Sequence, residues 1–223
     1  MLKQREELIT VVTPKSPISE AYRTLRTNIQ FSSLDKPLST LLVTSTGPDE
    51  GKSTILANLA VTFAQAGNRV ILVDCDLRRP SLHEIFGVDN LAGLTTLFID
   101  EKGLDSDNNA PLKDTSVPNL RILTTGQLPP NPSELLSSQR MGKIIESLKA
   151  QADFVLFDSP PILAVTDAAV LARKVDGVLL VISAGKTKRD RAVKAKTMLD
   201  KVNAKVLGVV LNNAKLDSSL YGY

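Results

Sequence analysis

Histidine, cysteine and tryptophan are nearly missing from this chain, with one His, one Cys and no Trp in 223 residues. A lone Cys75 excludes an internal disulfide and is compatible with a reducing compartment. Cys75 and His83 have no metal-ligand company, so they read as a small buried hydrophobe and a helix-surface or capping histidine. No apolar run approaches the ~18 residues that a membrane span requires. The first residues, MLKQREELITVV, are charged and lack the apolar core of a signal peptide. The formal charge is only +3, which gives no ground for nucleic acid as a bulk partner. Internal repeats and low-complexity segments are absent. What is present, 43% hydrophobic and 23% charged residues, suits one soluble domain spanning 1–223.

The most informative stretch is Leu41 to Thr54, LLVTSTGPDEGKST, followed by the helical run ILANLAVTFAQAG. Strand, phosphate-sized loop and helix form the context of a P-loop. The loop Gly47-Pro48-Asp49-Glu50-Gly51-Lys52-Ser53-Thr54 is the expected nucleotide cradle, because backbone N–H groups meet there at a helix N-terminus. Gly51 allows close approach of a phosphate, Lys52 reaches the β- and γ-phosphates, and Ser53 offers a hydroxyl to Mg²⁺. Lys52 is expected to end in ligand or solvent, so that Lys52→Met leaves the fold intact. The common pattern places Gly at position 46, where this chain has Thr46, with Gly47 one place later.

Arg69 to Asp74 reads as a buried strand ending in an acid, followed by Cys75-Asp76-Leu77-Arg78-Arg79-Pro80. Ligands of open parallel sheets bind beyond the carboxyl ends of the strands. Asp74 and Asp76 are therefore expected beside the P-loop, on one side of the chain, serving Mg²⁺ waters or accepting a proton. Asp153 to Asp158 repeats the pattern, and Asp158 is a Walker B type carboxylate for Mg²⁺. Asn119–Thr124, Gly177–Ser183 and Lys205–Asn212 are further strands, the last two expected to be buried. Helices are expected over Gly93–Phe98, Asp167–Arg173 and Thr187–Val202. Asn131, Pro132 and Glu134 form a helix-start signature with Asn131 as cap. Strands alternating with helices imply an α/β fold, a mostly parallel sheet covered by helices on both faces.

Two segments invite interaction readings. In the first 36 residues, Ser16 or Ser19 caps a helix through about Phe31, and Glu20, Arg23 and Arg26 share one face. Such a face serves either as a solvated surface or as a subunit interface. From Lys186 to Lys205 there are eight Lys/Arg against two Asp, a solvated face or an attraction for anionic surfaces. Tyr221 and Tyr223 lie in the tail 212–223, which has no helical or strand pattern.

Taken together, EAYRTLRTNI, TSTGPDEGKST, ILVDCDLRRP, LPPNPSELLSS, FVLFDSPP, GVVLN and a tyrosine-bearing C-terminus resemble the P-loop tyrosine kinases of bacteria, cytoplasmic components of capsular and extracellular polysaccharide synthesis. The resemblance implies ATP and Mg²⁺ as cofactors and autophosphorylation of Tyr221 and Tyr223, with transfer between subunits the geometrically easier course. It implies Lys52, Asp74, Asp76 and Asp158 as catalytic residues, with Asp74 the base, Ser53 and Asp158 at the metal, and Asn212 at the adenine. Glu20, Arg23 and Arg26 match the family's E-x-x-R-x-x-R interface motif, implying a ring-like homo-oligomer. A membrane activator of the polysaccharide co-polymerase kind and a tyrosine phosphatase are the implied partners, the former drawing the protein to the inner face of the membrane. Many relatives have Gly where this chain has Asp49, which sets a carboxylate near phosphates unless it turns outward. The rival reading is a switch ATPase of the partition or septum-positioning kind. Its signature lysine is replaced here by Gly47. A non-catalytic nucleotide-dependent module would lack one of the three acids, and all three are present.

Overall fold

The computed structural model describes residues 8–32, 38–99 and 110–215. The central strands are continuous apolar runs, which suits a sheet buried on both faces. They are β1 (Thr40–Ser45), β2 (Val70–Asp74), β5 (Phe154–Asp158) and β6 (Gly177–Ser183), joined by β3 (Lys113–Asp114), β4 (Leu120–Leu123) and β7 (Val206–Asn212). The order is β3-β4-β2-β5-β1-β6-β7, parallel except for β3 against β4.

Alternation along each strand divides the apolar residues between two cores. Leu41, Val43, Leu72, Leu156 and Val181 face α1 (Ile9–Val12), α2 (Pro17–Phe31), α3 (Lys52–Gln65) and α4 (Leu82–Phe86). Leu42, Ile71, Val73, Phe157 and Leu180 face the other side, against α7 (Gln139–Gln151), α8 (Asp167–Ala172) and α9 (Arg189–Lys201). The short helices α5 (Thr96–Ile99) and α6 (Pro132–Ser137) complete the described elements. Ten consecutive residues of α3, Ile55 to Ala64, are buried. This helix is therefore a core element, and its start is held rigidly to the sheet.

Ser16 caps α2, accepting from the Ser19 amide at 3.1 Å. The expected cap at α6 takes another form. Asn131 makes no side-chain bond to the helix amides and instead donates to Glu134 Oε2 at 3.2 Å. The chain turns again at Ser138, whose hydroxyl caps α7 through Met141 N. β7 also differs from the buried strand expected. It is the sheet's last strand, with a neighbour on one side only, and Val209 and Leu211 are more than half exposed. Cys75 is fully buried in a core, as read from the sequence. Tyr221 and Tyr223 lie outside the described residues.

Candidate active site

Because β5 lies between β1 and β2, the carboxyl ends of three strands meet at one point. Asp74 of β2 is in register with Asp158 of β5, which is in register with Val43 of β1. The loop leaving β1 folds around its own acid. The Glu50 carboxylate accepts from Thr46 N at 2.8 Å, Gly47 N at 3.1 Å and the Thr46 hydroxyl at 2.7 Å. Thr46, where a glycine is common, is thus a working part of the turn. Glu50 and two loop amides are spent on the loop's shape, so the amides left to face a phosphate are further along, at Gly51 and the first turn of α3.

Gly51 sits at the N-cap of α3 with φ +85° and has no side chain to offer the helix amides. Only glycine suits that position on two counts. The backbone is left-handed, and a Cβ would stand 2.2 Å from Asn212 Nδ2, which donates to Glu50 O at 3.0 Å. Asp49 also has positive φ, +56°, a conformation that Asp and Asn tolerate better than most residues, and its side chain is exposed.

Three residues beyond β6 clamp the loop from the other side, and sequence reasoning did not place them in the site. Lys186 Nζ donates to Asp49 O at 2.8 Å and to Pro48 O at 3.2 Å. Thr187 donates its hydroxyl to Glu50 Oε1 at 2.6 Å, and Arg191 reaches Thr46 O at 3.3 Å. The available signal was their place just after a strand's carboxyl end, which the basic composition of the segment obscured.

Lys52 is where the charges meet. Its ammonium lies 3.1 Å from Asp76 Oδ2, 3.3 Å from Asp158 Oδ2 and 3.0 Å from Ser53 Oγ, and Ser53 donates to Asp158 Oδ2 at 2.5 Å. The side chains of Lys52, Asp76 and Asp158 are only 12%, 6% and 0% exposed. Lys52 therefore ends in an acid cluster rather than in solvent. Burial by itself lowers its pKa, but the fields of Asp158 and Asp76 outweigh this and raise it, keeping the ammonium charged. Burial raises Asp158, against the pull of Lys52 and Ser53. Burial, with the charge of Asp158, pushes Asp74 up to about 8.

The two acids that follow β2 have different surroundings. Asp74 is fully buried, and its oxygens accept from the amides of Asp76, Ser81 and Leu82 at 3.1–3.2 Å. It shapes the loop from within. Asp76 accepts from Arg78 N and Arg79 N with one oxygen and turns the other to Lys52.

The donor set suits Mg²⁺. Ser53 Oγ and the Asp158 carboxylate are hard oxygens in hydrogen-bond contact beside the Lys52 ammonium. Among the described residues no three His, Cys, Asp or Glu close into a metal cage. Mg²⁺ held by two side chains would take waters and phosphate oxygens as its other ligands. The interface candidates lie elsewhere, on α2. Arg23 pairs with Glu20 at 2.7 Å and also donates to Pro14 O, while Arg26 turns inward to Thr62 O at 2.8 Å.

Comparison with known proteins agrees with this geometry. The ParA family model, described as NUBPL iron-transfer P-loop NTPase, matches residues 38–219. Tyrosine-protein kinase YwqD of Bacillus subtilis is 45% identical over 222 residues, 99% of this chain and 92% of that protein. Tyrosine-protein kinase wzc of Salmonella typhimurium is 35% identical over 94% of this chain but only 29% of its own length. Among solved structures, the kinase domain of Escherichia coli tyrosine kinase ETK superposes with a TM-score of 0.87 at 32% identity, covering 99% of this chain and 86% of that one. The septum site-determining protein MinD of Pyrococcus horikoshii, complexed with Mg-ADP, gives 0.63 at 26% identity, covering 78% and 69%. No helix among the described residues is long and apolar enough to cross a membrane. The chain belongs to the bacterial tyrosine-protein kinases, built on the P-loop NTPase domain of the ParA type.

Proposed function

We propose that the protein transfers the γ-phosphoryl group of ATP to Tyr221 and Tyr223 of a neighbouring copy of itself, and thereby regulates capsular or extracellular polysaccharide synthesis and export. The observation that carries this reading is the convergence of Lys52, Ser53, Asp76 and Asp158 at the ends of β1, β2 and β5. Phosphoryl transfer needs positioning and charge stabilisation more than covalent work by the protein. Lys52, anchored between two acids, meets the charge that develops on the β- and γ-phosphates. The amides at the start of α3 add the positive end of the helix dipole. We assign Asn212, which stands beside Gly51, to the base of the nucleotide. Mg²⁺, when bound by Ser53 and Asp158, neutralises phosphate charge.

A tyrosine hydroxyl has a pKa near ~10 and needs an acceptor for its proton at neutral pH. The geometry favours Asp76 over Asp74 for that task, since Asp74 is sealed in by backbone amides while Asp76 faces Lys52. As the new P–O bond forms on the tyrosine oxygen, the bond from the γ-phosphorus to the leaving ADP oxygen breaks and the phenolic proton passes to Asp76. The tail begins after β7, two strands from β1 on the side opposite β5 and β2. To reach its own acids it would have to cross the nucleotide's place, so transfer to a neighbouring subunit is easier.

We assign Glu20, Arg23 and Arg26 to a contact between subunits of a ring-like oligomer, and place the protein in the cytoplasm. The chain spans 29% of wzc, so the matched region of that protein is part of a longer polypeptide. By analogy a separate membrane activator of the co-polymerase kind would recruit this chain to the inner membrane face, and a tyrosine phosphatase would reverse the modification. The test is a mixing experiment read by intact mass. The Tyr221→Phe/Tyr223→Phe protein should take up little phosphate from ATP·Mg²⁺ yet label the tail of a Lys52→Met protein. Labelling of wild type but never of the Lys52→Met tail refutes transfer between subunits. Equal labelling of wild type and the double Phe protein removes the tail from the mechanism.

A further inference from the structure

Arg78 is two residues beyond Asp76, and its guanidinium leaves the phosphate site for a different acid. Nε and Nη2 form a two-pronged bond to Asp167, at 2.8 and 3.1 Å. Asp167 opens α8 and is completely buried. The Ser133 hydroxyl, from the first turn of α6, donates to the same carboxylate, and Arg78 Nη2 lies 3.4 Å from Ser133 Oγ. Thr166 donates to Ser133 Oγ at 3.3 Å. Three chain segments far apart in sequence, the loop after β2, the start of α6 and the start of α8, are thus tied at one carboxylate. None of these four side chains touches the Lys52 cluster.

A buried carboxylate needs strong partners, because desolvation disfavours its charge. A forked Arg–carboxylate pair also fixes orientation, which a single hydrogen bond does not. Arg78's own amide donates to Asp76 Oδ1, and Arg79's amide donates to the same oxygen. Holding the Arg78 side chain against Asp167 therefore fixes the turn that aims Asp76 at Lys52. It also removes a hazard. Arg78 lies within the field of Asp76 as well as Asp167. Released, its cation would be a second partner for Asp76, competing with Lys52.

We propose that Asp167 is a positioning residue for phosphoryl transfer: by holding Arg78 away from the acid cluster, with Ser133 as co-anchor, it keeps Asp76 on Lys52. This rests on the assignment of Asp76 as proton acceptor. Its sequence signal was faint, an Asp opening a short helix, which reads as an ordinary first-turn acid.

The test compares wild type, Asp167→Asn, Arg78→Gln and the double variant as full chains, measuring kcat and KM for tyrosine phosphorylation and ATP·Mg²⁺ binding by calorimetry. Asp167→Asn should lower kcat about tenfold and leave ATP affinity within about twofold. A merely structural role would weaken ATP binding along with kcat. The double variant should be no worse than Asp167→Asn alone, since both act through one contact. Additive losses, or an Asp167→Asn enzyme with wild-type kcat, would overturn the proposal. If Asp167→Asn does not fold, Arg78→Lys decides: it keeps the charge but loses the fork, so a lowered kcat with unchanged ATP binding supports the idea and a wild-type kcat overturns it. A wild-type enzyme that places no phosphate on tyrosine would instead refute the kinase reading itself, and a fully active Asp76→Asn enzyme would refute only the acceptor assignment.

Discussion

Replacing Lys52 by Met, the obvious way to disable a P-loop kinase, should cost stability as well as activity. The reason is the number of charges that depend on one ammonium. Lys52 Nζ lies within 3.3 Å of both Asp76 and Asp158, and its field also reaches Asp74. Breaking a buried ion pair by deleting one partner costs about 3–5 kcal/mol, and the slight exposure of Lys52 favours the lower end. At ~2–4 °C per kcal/mol for a chain of this size, melting should fall by roughly 6–12 °C. The pH dependence makes the test specific. Asp74 and Asp158 already have raised pKa values in the folded state, so the native protein binds protons that the unfolded chain releases. Such groups favour the fold at low pH and stability falls as pH rises through the interval up to the folded value, about 8 for Asp74. Lys52, whose own pKa is raised, stays charged across that interval and opposes the fall. The variant should therefore be closest to wild type near pH 5 and furthest from it near pH 8. Thermal melts followed by circular dichroism at both pH values check this. A variant that melts within about 2 °C of wild type at both would refute the reasoning and restore the view that Lys52 simply ends in solvent or ligand.

Gly51→Ala should destabilise by about 2–3 kcal/mol, ~1–2 from the left-handed backbone and the rest from displacing the Asn212 bond to Glu50. Denaturant melts of Gly51→Ala with and without Asn212→Ala separate the two parts, and a neutral Gly51→Ala would contradict the close approach. Asp176 accepts from the amides and hydroxyls of Ser39 and Thr40, and those bonds overcome burial to hold its pKa below the usual carboxylate range. Its contribution is present above the unfolded pKa and lost as pH falls below about 4, so Asp176→Asn should cost about 1–2 kcal/mol at pH 7 and little near pH 3. A cost independent of pH would mean the charge is not what matters. Arg23→Ala removes a surface ion pair and an exposed hydrogen bond to Pro14 O, and should change stability by about 1 kcal/mol or less. Sedimentation should nevertheless shift toward smaller species, and an unchanged profile in a protein shown to oligomerise would return α2 to a solvated surface. Arg23 is the better probe than Arg26, whose bond to Thr62 O anchors α2 on α3.

Elements that rest on local chemistry can be read from the residues alone. Apolar runs ending in Asp74 and Asp158, the Gly51-Lys52-Ser53 turn before a helix, and Ser16 ahead of Pro17 each specify their conformation within a few residues, so β2, β5, α3 and α2 were legible. Because strand ends carry parallel-sheet sites, the gathering of Lys52, Ser53, Asp76 and Asp158 followed from the same reading. How these groups divide the work depends on packing between segments remote in the chain. Asp74 and Asp76 look alike in the chain, two carboxylates with one residue between them. One is sealed by the amides of Ser81 and Leu82, while the other is turned to Lys52. Asn131 has the residue type and place of a helix cap but bonds Glu134 and leaves the α6 amides without a side-chain cap, while Ser138 caps the next helix, α7. β7 read as buried until the strand order left it at an edge. The clamp of Lys186, Thr187 and Arg191 on the P-loop, and the tie of Arg78 to Asp167 and Ser133, join residues 34 to 145 positions apart. Local propensity and periodicity carry no information about such pairs, because their proximity is set by how the strands are ordered and packed rather than by their neighbours in the chain.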